Sequence, residues 1–128
     1  MNFPEHLRYT KDHEWIKVEG KEAVIGITDF AQSELGDIVY VEIETQGESL
    51  DAEAVFGTVE AVKTVSDLFM PVSSKVVSVN KNIESNPAVV NKDPYGEGWL
   101  IRIELVNPAD ANGLLSAADY RKITGVNA

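Results

Sequence analysis

Cysteine is absent from this chain. That excludes a disulfide framework and a thiolate nucleophile. Redox chemistry, if there is any, must come from an imported group. Basic residues are scarce: 11 Lys and Arg stand against 21 Asp and Glu, a net charge of −10. Such a surface repels nucleic-acid phosphates. It favours solubility and steering toward basic protein surfaces. No apolar run reaches the length of a membrane span. The opening "MNFPEHLRYTKDHEW" lacks a signal peptide's apolar core and a transit peptide's Arg-rich, acid-poor character. The expectation is a cytosolic protein, or the mature form of an organellar one, with no membrane and no nucleic acid among its partners.

Enzyme signatures are missing too. "DHE" (Asp12 to Glu14) hints at a metal, but His6 and His13 are the only histidines, too few for a zinc set. There is no G-x-S-x-G elbow, no P-loop and no G-x-G-x-x-G after a strand; Gly96-Glu97-Gly98 is too short. Carboxylates are so plentiful that no pair stands out as an acid and base. Trp15 and Trp99 read as packing residues, and Arg102 as a strand residue that pairs with a nearby carboxylate.

What remains is a pattern of short strands. At 128 residues with 44% hydrophobic content, the chain suits one domain, residues 1–128, with its own core. Glu14 to Ile27 alternates on both sides of Gly20-Lys21, a hairpin signal. Thr28 is placed to cap a short helix over "DFAQSEL", and Gly36 to end it. Asp37 to Ile43 reads as a strand with Ile38, Tyr40 and Glu42 on one face and Val39, Val41 and Ile43 on the other. Gly47 breaks the chain, and two strand-like runs flank Lys63, the second punctuated by Pro71. Val76 to Asn80 and Trp99 to Leu105 are further strands. Between them "ESNPAVVNKDPYGEG" is an irregular connection, with a helical turn after Asn86-Pro87. Ser116 and Asp119 mark the start of a terminal helix, "AADYRKI". The sum is a mainly β protein with short helices, one of them C-terminal: a small β-sandwich or flattened barrel.

Lys63 is the anomaly. Were "FGTVEAVKTVSDLFMPV" one strand, Val59, Ala61, Lys63 and Val65 would share an apolar face. A buried, unpaired ammonium costs several kcal/mol or loses its proton. A reversal at Val62-Lys63 removes the conflict and puts the lysine on a hairpin tip. Without Asn-Gly, Asp-Gly or Gly-Gly, a tight I′ turn is disfavoured, and a wider loop around a type I turn is expected. Turn chemistry alone leaves two readings open, a solvated surface charge or a functional group. Val62 and Thr64 give the lysine a partly apolar collar, with Glu60 and Asp67 close by.

Several blocks together resemble, in order, the H proteins of the glycine cleavage system: "LRYTKDHEW", "GITDFAQSELGDIVYVEIETQGESL", "GTVEAVKTVSDLFMPVSSKVVSVN" and "NPAVVNKDPYGEGWLIRIE". The likeness spans nearly the whole chain, and E-A-V-K-T followed by S-D is its most specific element. The resemblance implies a lipoyl-domain fold (a barrel-sandwich hybrid), a flattened sandwich of two antiparallel sheets with the modified lysine on a hairpin tip. It implies lipoic acid in amide linkage on Lys63. It also implies a non-catalytic carrier that shuttles an aminomethyl group from glycine. The implied partners are the pyridoxal-phosphate-dependent P-protein, the T-protein that serves tetrahydrofolate, and the L-protein, a dihydrolipoamide dehydrogenase. Glu60, Val62 and Thr64 become candidates for recognition by the attaching enzyme, a lipoate ligase or a lipoyl/octanoyl transferase. Glu14 and Asp67 match acidic or polar positions near a cleft that receives the loaded arm.

Some features depart from the pattern. Ser74 stands where many relatives have glycine, which puts that turn's geometry in question. Asp12 stands where serine occurs in relatives, which alters the cleft's polarity. Within the same fold, a relay donating lipoyl groups to 2-oxoacid dehydrogenase subunits is the alternative reading. A biotin carrier typically has methionines beside its lysine, and Val62 and Thr64 argue against it. A stand-alone enzyme or an unmodified adaptor would come from a different class. A monomer is expected, because the sequence offers no strong heptad and no obvious exposed apolar edge.

Overall fold

Strand β1 (Arg8–Tyr9) leads into a hairpin of β2 (Glu14–Glu19) and β3 (Glu22–Ile27) in the computed structural model, which describes residues 1–125. The hairpin pairs from Glu14↔Ile27 to Glu19↔Glu22, and Gly20 takes φ 69° at its turn. Positive φ at the first central residue marks a II′ turn, which glycine enters without steric penalty. Thr28 caps α1 (Asp29–Leu35): its hydroxyl accepts the Ala31 N–H at 3.1 Å, and Gly36 ends the helix at φ 77°.

The next strand, β4 (Ile38–Glu42), departs from simple alternation. Ile38 and Val41 are buried, whereas Val39 and Tyr40 are half exposed. A register shift falls between Ile38 and Tyr40, and a bulge of this kind moves every later side chain to the opposite parity. The short β5 (Ser49–Leu50) follows, then β6 (Val55–Ala61) and β7 (Val65–Phe69). The last two pair antiparallel from Val55↔Phe69 to Glu60↔Val65, so the chain does reverse around Lys63.

Beyond it lie β8 (Ser74–Val79), the one-turn helices α2 (Asn82–Ser85) and α3 (Val89–Lys92), and β9 (Ile101–Leu105). A 3₁₀ turn (Pro108–Gly113) precedes α4 (Ala117–Thr124), whose cap Ser116 accepts the Asp119 N–H at 3.2 Å. Ser74 causes no strain. It opens β8 outside the left-handed region, and its buried hydroxyl donates to the Val72 carbonyl at 3.0 Å.

The strands form two antiparallel sheets, β1-β2-β3-β9-β8-β5 and β4-β6-β7. Neither closes on itself, so the fold is a flattened sandwich rather than a barrel. Its main core unites both sheets, with Ile25, Phe56, Met70, Ile101 and Ile103 wholly enclosed. A second cluster joins the N-terminal segment to α4 through Phe3, Tyr9, Trp15 and Tyr120. Trp15 donates its indole N–H to the Pro94 carbonyl at 3.0 Å. Its ring lies so close to Gly26 that a Cβ there would sit 2.6 Å from it. Trp99 packs half-buried against the same cluster, and Arg102 meets Glu19 at 2.8 Å and Glu22 at 3.5 Å.

Candidate functional site

The lysine hairpin is held by its surroundings more than by its turn. The Ala61 N–H donates to the Thr64 carbonyl at 2.8 Å, and the Val62 N–H donates to the Asp37 carbonyl at 3.0 Å. Neither Val62 nor Lys63 has positive φ, which excludes the I′ geometry. Lys63 is exposed and makes no ion pair among the described residues. Its side chain lies over Gly36, where a Cβ would come 3.5 Å from Lys63 Cε.

The collar inferred from the sequence is present and wider than expected. Val62 is 76% exposed and Val65 60% exposed, with Thr64 and Glu60 also at the surface. Glu60 lies between Tyr40 on β4 and Val65 on β7, and Thr58 between Glu42 and Asp67. Hence the outer face of the small sheet mixes exposed apolar side chains with carboxylates. The expectation of no exposed apolar edge fails here, because the bulge in β4 turns Val39 and Tyr40 outward.

Beside the hairpin, α1, β7 and the loop before β2 enclose a cleft of about 380 Å³. Ile27, Phe30, Ala31, Leu35, Val59 and Leu68 supply apolar wall, and Asp12, His13, Glu14, Glu34, Ser66 and Asp67 supply polar groups. Helix α1 links the cleft to the lysine. Phe30, Ala31, Glu34 and Leu35 line the cleft, and the next residue, Gly36, underlies Lys63.

Glu14 is nearly inaccessible, at 1% exposure. One carboxylate oxygen accepts the Phe69 N–H at 2.7 Å, and the other accepts the Thr10 hydroxyl at 3.4 Å. Burial pushes its pKa up to about 8, against the pull of the Phe69 N–H, and the Asp12 charge adds to the rise. Glu14 is therefore a largely neutral acid at pH 7 until a cation approaches. Asp12 is also raised, by burial first and then by a hydrogen bond with Glu53, while Lys11 opposes. His13 occupies the left-handed region at φ 67°, held by its N–H to Thr10 (3.1 Å) and its carbonyl from Thr28 (3.0 Å). Burial lowers its ring pKa.

The structure thus brings Glu14 and Asp67 to one cleft, and sets Glu60, Val62 and Thr64 around Lys63. Sequence reasoning weighed His13 only as a metal ligand, and among the described residues no cluster of metal-binding groups occurs. It also missed the cleft-facing side of α1. That side was readable, since positions 30, 31, 34 and 35 follow helical spacing.

An exposed, unpaired lysine at a braced hairpin tip, with a mixed apolar and acidic cleft at its root, defines a carrier domain. The profile of the glycine cleavage H-protein family matches residues 7–126. A glycine cleavage system H protein from Bacteroides fragilis is 57% identical over 123 residues, 96% of this chain and 98% of its own. One from Chlorobaculum tepidum is 57% identical over 127 residues, 98% of this chain and 99% of its own. The crystal structure of a glycine cleavage system H protein from Mycobacterium marinum superposes with a TM-score of 0.88 at 38% identity, covering 97% of this chain and 100% of that one. The chain belongs to the glycine cleavage H-protein family. Its place in glycine cleavage is that of the lipoyl carrier.

Proposed function

We propose that Lys63 is the attachment point, acylated by lipoic acid, and that the chain acts as a single-domain, monomeric and non-catalytic shuttle in the cytosol. The observation that carries this reading is the placement of Lys63: exposed, without an ion-pair partner, and rooted at the end of the helix that lines the cleft. Lipoic acid supplies a disulfide that opens to hold an aminomethyl group on sulfur and closes again on oxidation. Amide formation removes the lysine charge, so the arm can lie against Phe30, Ala31 and Leu35 without burying an ammonium. A volume of about 380 Å³ falls in the range of small-ligand sites, roughly 300–1,000 Å³.

The chain's own residues then divide the work. Glu60, Val62 and Thr64 present the lysine to a lipoate ligase or a lipoyl/octanoyl transferase. Glu14 and Asp67 face the cationic amine of the cargo. A cation beside Glu14 favours its ionised form, so entry of the loaded arm and release of the Glu14 proton are coupled. The exposed hairpin serves the P-, T- and L-proteins in turn by raising the local concentration of the carried group at each.

Incubation with a lipoate ligase, lipoate and ATP, followed by intact mass, tests the attachment. A lipoyl-sized increase that vanishes in Lys63→Arg supports it. No increase with a ligase active on a control carrier overturns it. Glycine–bicarbonate exchange with added P-protein then tests the shuttle itself.

A further inference from the structure

Tyr120 lies on the C-terminal helix, away from the lysine hairpin, yet its hydroxyl ends beside the cleft. The oxygen is 2.8 Å from His13 Nδ1 and 2.7 Å from Thr28 Oγ1. His13 lines the cleft, and Thr28 caps α1, which forms its apolar wall. One hydroxyl therefore bridges the two walls.

Proton accounting fixes the direction of this chain. Thr28 is fully buried, and its Oγ1 already accepts the Ala31 N–H. Its own proton has one acceptor among the described residues, the Tyr120 oxygen. Tyr120 must then donate to His13 Nδ1. If His13 donated instead, either the Thr28 or the Tyr120 hydroxyl proton would be left without a partner among the described residues, which is unfavourable. Burial pushes the Tyr120 pKa upward, so it stays a phenol and keeps the proton it donates. The imidazole is consequently neutral, with its proton on Nε2. Phe30 packs on the same ring at 5.0 Å.

We propose that Tyr120 is a positioning residue for the cleft. It holds His13 as the neutral Nε2–H tautomer and clamps the His13 loop to the cap of α1. The inference rests on the reading of the cleft as the seat of a cationic amine. An imidazolium at His13 would repel that amine. A neutral ring, whose Nε2–H has no acceptor among the described residues, leaves the carboxyl groups of Asp12 on the loop, Glu14 on β2, Glu34 on α1 and Asp67 on β7 as the titratable groups that face the amine. The ring cluster around Tyr120 is the scaffold for this role. Tyr9 stacks on it at 4.8 Å and Phe3 meets it edge-on at 5.1 Å. A phenylalanine keeps both contacts and removes only the hydroxyl.

Long-range ¹⁵N–¹H spectra of the labelled full chain report the His13 tautomer without any cofactor. The expected result is an unprotonated Nδ1 in the wild type and a loss of that single tautomer in Tyr120→Phe. A protonated Nδ1 in the wild type overturns the proposal. On lipoylated protein charged with glycine and P-protein, Tyr120→Phe is expected to shorten the lifetime of the loaded arm about fivefold, the factor that accompanies loss of one hydrogen bond. In a His13→Asn background, where asparagine tolerates the left-handed backbone, the same change should have no further effect. An equal effect in both backgrounds means a merely structural role and overturns the proposal. If Glu14→Ala shortens the lifetime and Tyr120→Phe does not, this inference alone fails. If neither does, the cleft reading fails and takes this inference with it.

Discussion

Two hairpins in this fold end in a lysine, and only one of those lysines lies at the end of the helix that lines the cleft. At the tip of β2–β3 stands Gly20-Lys21, and at the tip of β6–β7 stands Val62-Lys63. The first turn is locally self-sufficient. Gly20 takes the positive φ that a II′ turn demands, and a Cβ on it would meet nothing within 4 Å. The second turn has no such residue. It is braced from outside, by the Asp37 carbonyl on the Val62 N–H and by Gly36 beneath the lysine. A turn stabilised by its own residues can sit anywhere in solvent. A turn stabilised by a neighbouring helix is fixed relative to that helix, and here the helix lines a cleft.

Substitutions test this contrast directly. The largest difference is chemical: Lys63→Arg should abolish ligase-dependent lipoylation, while Lys21→Arg should leave the mass increase intact. A second concerns Glu14, whose bond to the Phe69 N–H ties β7 to the larger sheet. Its pKa rises from 4.5 to about 8 on folding. A raised carboxylate favours the folded state below the unfolded pKa, and that contribution is lost as pH rises through the folded one. Denaturant titrations should therefore show wild-type stability falling relative to Glu14→Gln by up to about 4 kcal/mol between pH 5 and 8.

Backbone strain gives a smaller effect. Gly36, at φ 77° and ψ −155°, lies in a region reserved for glycine. Gly36→Ala should cost about 2–3 kcal/mol in thermal or denaturant unfolding, against about 1 kcal/mol for Gly20→Ala. A Cβ at Gly36 would make only ordinary contact with Lys63, so the ligase should still modify that variant once folded. The smallest effect is Lys21→Ala, expected to stay within about 0.5 kcal/mol of the wild type.

Much of the contrast was legible in the sequence. Parity alone forced the reversal at Lys63, because the alternative buried an ammonium. Thr28 and Gly36 announced both ends of α1, since capping is local chemistry. The blocks around E-A-V-K-T carried the family. Features that depend on distant contacts were not legible. The bulge between Ile38 and Tyr40 is set by pairing with β6, so alternation in β4 misassigned Val39 and Ile38. The two-residue strands β1 and β5 are too short for a periodic signal. Helix α2 lacks a side-chain cap to mark its start. His13 entered the cleft through a left-handed backbone that no motif signals in a histidine, and its partner Tyr120 lies 107 positions along the chain.

The bare Lys63 ammonium has a consequence for traffic among partners. Before acylation the hairpin tip shows one cation, with Glu60 three positions before it in the chain and Asp67 four positions after it. On the proposed acylation that cation is lost, and the protein becomes one unit more negative than its −10. An enzyme that installs the proposed group would meet a tip with this cation, whereas one that uses the arm would meet a tip without it. Such a modification would rewrite the address of the carrier in the act of equipping it. Anion exchange or native electrophoresis would separate the two forms by that single charge.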